Sequence, residues 1–208
     1  MNEKKKTICD LKRLGGLLCL DFINTLDWRG ARQPVEYMHT YEDLALWSRC
    51  AGVAGESEVA ALLQTALADA AKADRIVKGA VKLRETLHRI FYATIQGRAP
   101  APGDLTAFNT SLSKTMKHSR IVAVKDGYIW DSNHDKGALD WVLNPVIRSA
   151  ADLLVSSDEL KRVKTCLDTA CGWLFLDTSR NQSRRWCDMK FCGNRAKASR
   201  FYQKRRRT

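Results

Sequence analysis

The sequence predicts a mainly α-helical protein with a small β component (α+β), followed by a small cysteine-rich module that ends in a basic helix. Apolar residues recur at helical spacing through much of the first 160 residues, and one Asp-Gly pair lies between two short runs of β-formers. Four cysteines then fall in a segment dense in Arg and Lys. The 208 residues have room for one ordinary domain and one small module, predicted here as 1–157 and 158–208.

The first apolar run, Leu17 to Ile23, follows a Gly-Gly pair and suits a buried strand, although a short run of this kind equally fits a helix. Thr40 is a good N-cap for a helix that reaches about Cys50. Acidic residues lie in its first turn, where the positive end of the helix dipole stabilises negative charge.

Two further helices follow from periodic apolar positions, which we assign to the core. The stripes are Val59, Leu62, Leu63, Ala66, Leu67 and Ala70, and then Ile76, Ala80, Leu83, Leu87, Ile90 and Thr94 before Gly97. Arg98 to Gly103 should be a loop because it contains two prolines. Asp104 is then expected to cap a helix toward Met116.

The clearest predicted strand pair is Ile121–Val124 with Tyr128–Trp130, around the Asp-Gly turn. A last helical region should run over 138–155, where Pro145 either kinks it or starts a second helix. Residues 156–158 form a predicted break.

Within the module, Trp173–Leu176 is predicted as a strand and Asn194 as the cap of a helix that ends near Arg206. Arg200, Lys204 and Arg207 would share one face of that helix. Its N-terminus would offer free N–H groups to a phosphate beside Arg195.

Two cysteine pairs of equal internal spacing, C-x4-C-x15-C-x4-C, give the strongest chemical signal in the chain. A structural zinc needs four soft ligands in a tetrahedron, and two short knuckles separated by about 12–20 residues can supply them. One structural Zn²⁺ is therefore predicted on Cys166, Cys171, Cys187 and Cys192, in a zinc-ribbon-like module. Core thiols, disulfides, another metal or a redox pair are the alternatives.

The remaining cysteines, Cys9, Cys19 and Cys50, do not share this spacing, so we interpret them as small buried hydrophobes. The N-terminal basic run leads into an apolar stretch that Asp21 interrupts, with no cleavage site after it and no membrane-spanning run. We therefore expect a cytoplasmic protein without a membrane partner, where paired cysteines are more often ligands than disulfides.

The charge is unevenly distributed, because residues 161–208 carry a net +11 of the total +12. A zinc site with four thiolates would lower the local figure to about +9, which still suits phosphate binding. Aromatic side chains alternate with the basic groups, and they either pack around the knuckles or stack on exposed bases. The residues that we predict to contact nucleic acid are Arg180, Arg184, Arg185, Arg195, Lys197, Arg200 and Lys204.

Residues 171–206 resemble the CGNR-type zinc finger, whose signature is present here as Cys192, Gly193, Asn194 and Arg195. Leu14 to Gly30, LGGLLCLDFINTLDWRG, is similar to the start of the ABATE domain that precedes this finger in bacterial proteins. The resemblance implies a stress-responsive transcription regulator, with the cysteine quartet as ligands, a ligand-sensing N-terminal domain and a DNA-binding finger.

The LDFxNT pattern of that domain places Asp21 and Asn24 in an apolar run. They either bind an effector or make hydrogen bonds that close the local structure.

Three functions follow from these observations. A DNA-binding regulator comes first, with a small-molecule effector and a homodimer as further expectations. An RNA-binding protein is the alternative, since the same basic and aromatic residues suit single strands. An enzyme is not expected, because the sequence has no phosphate-binding glycine loop, HExxH motif or nucleophile elbow.

Overall fold

The computed structural model describes residues 6–132 and 137–205, without the side chains of Ser132, Arg200, Gln203 and Lys204. The α-helices are α1 Leu18–Ile23, α2 Tyr41–Cys50, α3 Glu56–Ala68, α4 Ala70–Ile95, α5 Pro102–Lys117, α6 Asn144–Val155, α7 Ser157–Leu160 and α8 Asn194–Arg205. The strands are β1 Leu26–Asp27, β2 Val35–Glu36, β3 Ser119–Val124, β4 Gly127–Ser132, β5 Val163–Thr165 and β6 Leu174–Leu176. They form three antiparallel pairs, β1–β2, β3–β4 and β5–β6, so the α+β prediction is confirmed.

The core of the helical body lies between α1, α2, α4 and α6, and α3 and α5 cover its sides. The short α1 is central to it, because Leu20 and Phe22 are fully buried. The long helix α4 contributes a continuous stripe that includes Leu87, Ile90 and Phe91. The β5–β6 pair also belongs to this core through Val163, Leu174 and Leu176, and it carries the chain from the body into the cysteine module.

Several predicted elements are present. Thr40 caps α2 in a capping box with Asp43, and α4 extends to Ile95. The β3–β4 hairpin turns through Lys125 and Asp126, and Gly127 already pairs with Val124. Pro145 lies in the first turn of α6, so the second of the two alternatives for that proline is correct.

Other elements differ from the prediction. Leu18–Ile23 is a helix rather than a strand. The run is apolar on every side, so its periodicity could not distinguish the two structures. Helix α5 begins at Pro102, and Asp104 is not its cap but forms an ion pair with Arg89 at 2.6 Å. The predicted break after residue 155 contains the short α7.

The two periodic helices also differ in detail. Leu67 is exposed, and Ala70 starts α4 after Asp69 ends α3. Asp69 caps α4 by accepting a hydrogen bond from the Lys72 amide at 2.8 Å.

Two of the cysteines that we interpreted as isolated are bonded to each other. Cys9 and Cys50 form a disulfide with their Cα atoms 5.7 Å apart, which joins the N-terminal segment to the end of α2. They are 41 positions apart, so only the tertiary fold brings them together. Cys19, in contrast, is a fully buried thiol in the core.

Candidate metal centre and nucleic-acid interface

The four cysteines of the module form one cluster. Their sulfur atoms are all within 4.8 Å of one another, and each cysteine is buried. Two of the Sγ–Sγ distances are 3.7 Å, between Cys171 and Cys187, and 3.8 Å, between Cys187 and Cys192. A tetrahedral zinc with Zn–S bonds of ~2.3 Å requires sulfurs about 3.8 Å apart, so the cluster fits such an ion.

Local backbone structure positions each thiol. Cys166 follows β5, and the Asp168 carbonyl accepts a hydrogen bond from the Cys171 amide at 2.9 Å, which closes the first knuckle. The second knuckle is a π-helical turn, Met189–Gly193, which Asp188 caps by accepting from the Lys190 amide at 2.8 Å. The Leu167 amide donates to the Arg185 carbonyl at 2.9 Å and ties the two knuckles together.

Hydrogen bonds among the four thiols shift their pKa values in opposite directions. Hydrogen bonds from Cys171 and Cys187 lower the pKa of the Cys166 thiol, whereas the bond to Cys166 raises the pKa of Cys171 and of Cys187. Four thiolates therefore need a cation among them. The Arg195 guanidinium adds positive charge from outside, since its Nη2 lies 3.4 Å from the Cys192 Sγ.

A buried carboxylate organises the loop between the two cysteine pairs. Asp177 is fully buried and accepts hydrogen bonds from the Ser179 hydroxyl at 2.6 Å, the Arg184 amide at 2.8 Å and Lys164 Nζ at 2.7 Å. Burial alone would raise the pKa of Asp177, but these hydrogen bonds outweigh it and hold the pKa well below its usual range. Lys164 also binds the Gln182 carbonyl, so this loop is fixed by charge rather than by apolar packing.

Several contacts join the module to the body, and two of them are at Asn24 and at residues 29–30. The Asn24 amide pairs with the Leu174 backbone, accepting at 3.0 Å and donating at 2.9 Å. The amides of Arg29 and Gly30 donate to the carbonyls of Cys171 and Ala170, at 3.1 and 3.2 Å. A side chain at position 30 would collide with the Thr169 carbonyl, so only glycine permits this approach.

The second attachment continues into the body through ion pairs. Arg29 forms a bidentate pair with Glu85, at 2.5 and 3.1 Å, and Glu85 also binds Arg84 Nε at 2.9 Å. Arg84 is 1% exposed and forms a second bidentate pair with Glu36, both at 2.6 Å. Burial opposes the charge of Arg84, but the Glu36 carboxylate outweighs it and raises the Arg84 pKa.

The predicted nucleic-acid contacts fall into four groups. Arg180, Arg185 and Lys197 are exposed. Arg184 is half-buried, donates to the Cys187 carbonyl at 2.8 Å and lies 4.7 Å from the Phe175 ring, so its guanidinium is used inside the module. Arg195 Nε donates a hydrogen bond to the Asp168 carboxylate at 2.5 Å, so part of this guanidinium is already used. The side chains of Arg200 and Lys204, together with Arg206 and Arg207, lie outside the described part of the structure.

The start of α8 also differs from the prediction. Asn194 has helical backbone angles, and its side chain donates to the Lys190 carbonyl at 3.0 Å instead of capping the helix. The Gly193 amide donates to the Asp188 carbonyl at 3.1 Å, so the π-helical turn uses N–H groups at this end. The predicted cap at Asn194 is therefore wrong, and the amides of Gly193 and Asn194 are not free for a phosphate.

The aromatic rings around the site are mostly at the surface. Phe191, Phe201 and Tyr202 are 59%, 59% and 65% exposed, and Trp186 is half-buried. Phe175 fills the interior beside the cysteines instead. Of the two alternatives for these rings, packing around the knuckles is wrong for the three exposed ones, because the four thiols occupy most of the small interior.

Sequence reasoning missed two contributors to this region. Lys12 pairs with Asp188 at 3.1 Å, and its Nζ lies 3.7 Å above the Phe191 ring. Trp28, which lies two residues before Gly30, places its ring 4.1 Å from the Arg195 guanidinium. Both residues are far from the module in sequence, so no spacing pattern could have indicated them.

Asp21 and Asn24, the predicted effector residues, do not line a ligand-sized space in the described structure. Asp21 accepts from the Gly15 amide at 2.8 Å, and burial raises its pKa to about 6. The cavity that Asp21 lines with Asn24 has a volume of about 10 Å³, enough for one water at most. The Asn24 amide is already occupied by Leu174.

A helical body that holds a four-cysteine module with an exposed basic helix defines a zinc-finger architecture. The chain belongs to the ABATE family, whose model is described as "Putative stress-induced transcription regulator" and matches residues 16–157. A second model, the CGNR zinc finger, matches residues 162–205. The curated proteins contain no match to the chain. Within residues 6–132 and 137–205, no helix is both long and apolar enough to cross a bilayer.

Proposed function

We propose that this protein is a zinc-dependent, DNA-binding transcription regulator of the cytoplasm. The observation that carries the proposal is helix α8, which projects basic and aromatic side chains from a module that a metal would hold together. Lys197, Phe201 and Arg205 follow one another at a spacing of four, so they share one face. All three are exposed.

The dimensions of α8 suit the major groove. Its 12 residues span about 18 Å, and a helix of ordinary diameter enters that groove. Arg180 and Arg185 add exposed positive charge from the loop between the cysteine pairs, where they would contact phosphates. Lys190, in the second knuckle, is a further exposed candidate.

The zinc would act as a structural ion. Cys166, Cys171, Cys187 and Cys192 would fill all four coordination positions, which leaves no position for a reacting water. We therefore propose no enzymatic activity at this site. A homodimer through the body would double the small area that one module can bury on DNA.

RNA binding is the second candidate, and the exposed rings favour it. Phe191, Phe201 and Tyr202 present flat surfaces beside positive charge, which is how proteins stack the bases of single strands. DNA remains the first candidate because the family description is that of a transcription regulator.

The test measures binding of the zinc-loaded protein to genomic DNA fragments, including its own promoter region, against cellular RNA as competitor. Duplex binding that survives RNA competition and is lost on chelation supports the proposal. If RNA displaces the DNA, the second candidate is correct. Affinity no tighter than about 10⁻⁶ M for either nucleic acid contradicts both, since that is the level of non-specific binding.

A salt series identifies the contacts. Arg180→Ala, Arg185→Ala and Lys197→Ala should each flatten the log–log dependence of affinity on salt by about 0.9, the value of one phosphate contact. Arg120→Ala and Lys78→Ala are matched controls, because both remove exposed cations that pair with acids on the body. An unchanged slope would remove the tested residue from the interface. Arg184 is unsuitable for this test, because its loss would disturb the module itself.

A further inference from the structure

The cysteines of this chain include two sets that require opposite redox states. Cys9 and Cys50 are joined in a disulfide, whereas the four cysteines of the module are free thiols. A zinc ion binds thiolates, so those four must stay reduced to hold one. The disulfide and a zinc site can therefore coexist only where the first pair oxidises more readily than the module. In the cytoplasm, which we propose for this protein, a disulfide is more often redox-active than structural.

The first pair is also the more accessible of the two sets. Cys9 and Cys50 are half-buried, whereas each cysteine of the module is at most 5% exposed. Thiol–disulfide exchange requires access to a sulfur atom, so a small disulfide should react at the half-buried pair first. The reduced state fits the fold as well. The Leu46 carbonyl oxygen lies 3.5 Å from the Cys9 Sγ and can accept a hydrogen bond from its thiol.

The disulfide holds a segment that reaches from the body to the module. We call residues 7–14 the N-terminal strap. Leu11 packs against both the body core and the cysteine cluster. Three positions after Cys9, Lys12 forms an ion pair with Asp188, which caps the second knuckle. Three residues span at most about 11 Å, so the disulfide limits how far Lys12 can move from the end of α2.

Other attachments of the strap are weak. In the described structure its backbone–backbone hydrogen bonds are local and join Asp10 to Thr7 and Leu11 to Ile8. Ile8, which is 3% exposed, anchors it in the body core. Segments with few buried apolar side chains and no hydrogen bonds to a neighbouring element open at low free-energy cost. Cleavage of the disulfide should therefore loosen the strap locally without unfolding the body.

We propose that Cys9 and Cys50 form a reversible redox site, whose state sets how firmly the N-terminal strap supports the second knuckle. The oxidant is a small disulfide such as oxidised glutathione. One protein thiolate attacks a glutathione sulfur and releases one glutathione thiolate, and the second protein thiolate then attacks the mixed disulfide and releases the other. The two protein thiols give up two electrons and two protons, and the products are the protein disulfide and two molecules of reduced glutathione.

Lys12 connects this site to the module. While the disulfide is closed, its Nζ stays beside the Asp188 carboxylate and 3.7 Å above the Phe191 ring. Phe191 directly precedes Cys192, so loss of this support should let the second knuckle move and release zinc faster. Helix α8 begins at the end of the same knuckle. An effect of the redox state on nucleic-acid binding therefore follows, and this part of the inference rests on the proposed function.

The first measurement determines the redox state of each cysteine. The zinc-loaded full-length protein is equilibrated with mixtures of reduced and oxidised glutathione, free thiols are alkylated, and the peptides are analysed by mass spectrometry. Cys9 and Cys50 should change together from alkylated to disulfide-bonded as the share of oxidised glutathione rises, while zinc content stays at one ion. Cys19, which is fully buried in the core, is the internal control and should not change.

The second measurement is the rate at which a chelator removes zinc. The reduced protein should release zinc about threefold faster than the oxidised protein, which is the size of effect that a partly exposed ion pair can supply. Cys9→Ser and Cys50→Ser should each release zinc at the faster rate in every glutathione mixture. Lys12→Ala should do the same although its disulfide still forms. Lys78→Ala removes an exposed lysine that pairs with an acid on the body, and it should behave like the unaltered protein.

Hydrogen exchange of residues 7–14 gives a readout that does not depend on zinc, because these amides should lose protection on reduction. The proposal would be overturned by a pair that stays oxidised, or stays reduced, across all glutathione mixtures. Oxidation of the module before this pair would also overturn it. So would equal zinc release from the two redox states, or a redox difference that persists in Lys12→Ala.

None of these measurements involves nucleic acid. A redox-active pair in a protein that binds no duplex would contradict the proposed function but leave this inference intact. Duplex binding by a protein in which Cys9 and Cys50 do not respond to glutathione would do the reverse.

Discussion

The helical body surrounds a core of aliphatic and aromatic side chains, whereas the interior of the zinc-finger module consists mainly of its own ligands. In the described part of the chain, the buried residues that share that interior with Cys166, Cys171, Cys187 and Cys192 are Trp173 and Phe175. Such a cluster buries too little apolar area to offset the entropy of ordering the chain. The body can therefore fold by apolar burial, and we expect the distal part of the module to depend on a bound metal.

The change from apolar burial to metal-dependent structure occurs within the module itself. Strands β5 and β6 belong to the body core through Val163, Leu174 and Leu176. The second knuckle and α8 have no such apolar anchor among the described residues. Substitutions in the two regions should therefore differ in whether they reduce stability through lost burial or through lost metal binding.

Loss of one ligand should have the largest effect. Cys192→Ala should reduce bound zinc from one ion to nearly none and bring duplex binding to the non-specific level, since structural zinc contributes about 10–16 kcal/mol in finger peptides. Zinc content and DNA affinity check this. Cys19→Ala removes an equally buried thiol from the body and should leave zinc content unchanged, so zinc loss in this control would contradict the comparison.

The buried ion pairs of the body come next. Arg84→Ala leaves Glu36 without its main partner, removes one of the two arginines that bind Glu85, and should lower the free energy of unfolding by about 3–5 kcal/mol. Denaturant unfolding measures the loss. The exposed pair of Arg120 with Asp131 is the control, and Arg120→Ala should cost less than about 1 kcal/mol. Equal losses in both would show that burial does not set the strength of these pairs.

The contact between the two regions can be tested at Gly30. Gly30→Ala places a methyl group against the Thr169 carbonyl and should cost about 1–3 kcal/mol, with zinc retained. Gly79→Ala, on the open face of α4, meets nothing within 4 Å and should stabilise the protein by about 0.5–1 kcal/mol. If Gly30→Ala were also stabilising, the first knuckle would not be docked as the structure has it.

A smaller effect concerns pH. Because burial raises the pKa of Asp21 to about 6, the folded state holds this proton more tightly than the unfolded chain. Stability from Asp21 is thus present below about pH 4 and declines as the pH rises through 6. Between pH 4 and 7 the unaltered protein should lose roughly 1–2 kcal/mol relative to Asp21→Asn, after allowance for partial exposure. A constant difference across that range would contradict the raised pKa.

Local signals in the sequence predicted the local structure well. The cap at Thr40, the α4 stripe and the hairpin turn each depend on residues that are neighbours in the chain. The cysteine spacing predicted the cluster for the same reason, since two closed knuckles need only one further contact to meet. The apolar run at α1 failed because a short segment that is buried on all sides has no periodicity to read.

Contacts between distant residues could not be predicted in this way. The disulfide from Cys9 to Cys50, the pair of Lys12 with Asp188 and the ring of Trp28 under Arg195 all depend on how the body and the module dock. Exposure of Phe191 and Phe201 follows from the small size of the module, which composition alone does not reveal.

The most direct test of the account is hydrogen exchange of the full chain with zinc bound and after chelation. We predict that chelation removes protection from the second knuckle and α8, while α1, α2, α4 and α6 and the β5–β6 pair remain protected. Uniform loss of protection, or no change in α8, would contradict the claim that apolar burial holds the body and that a metal holds the second knuckle and α8.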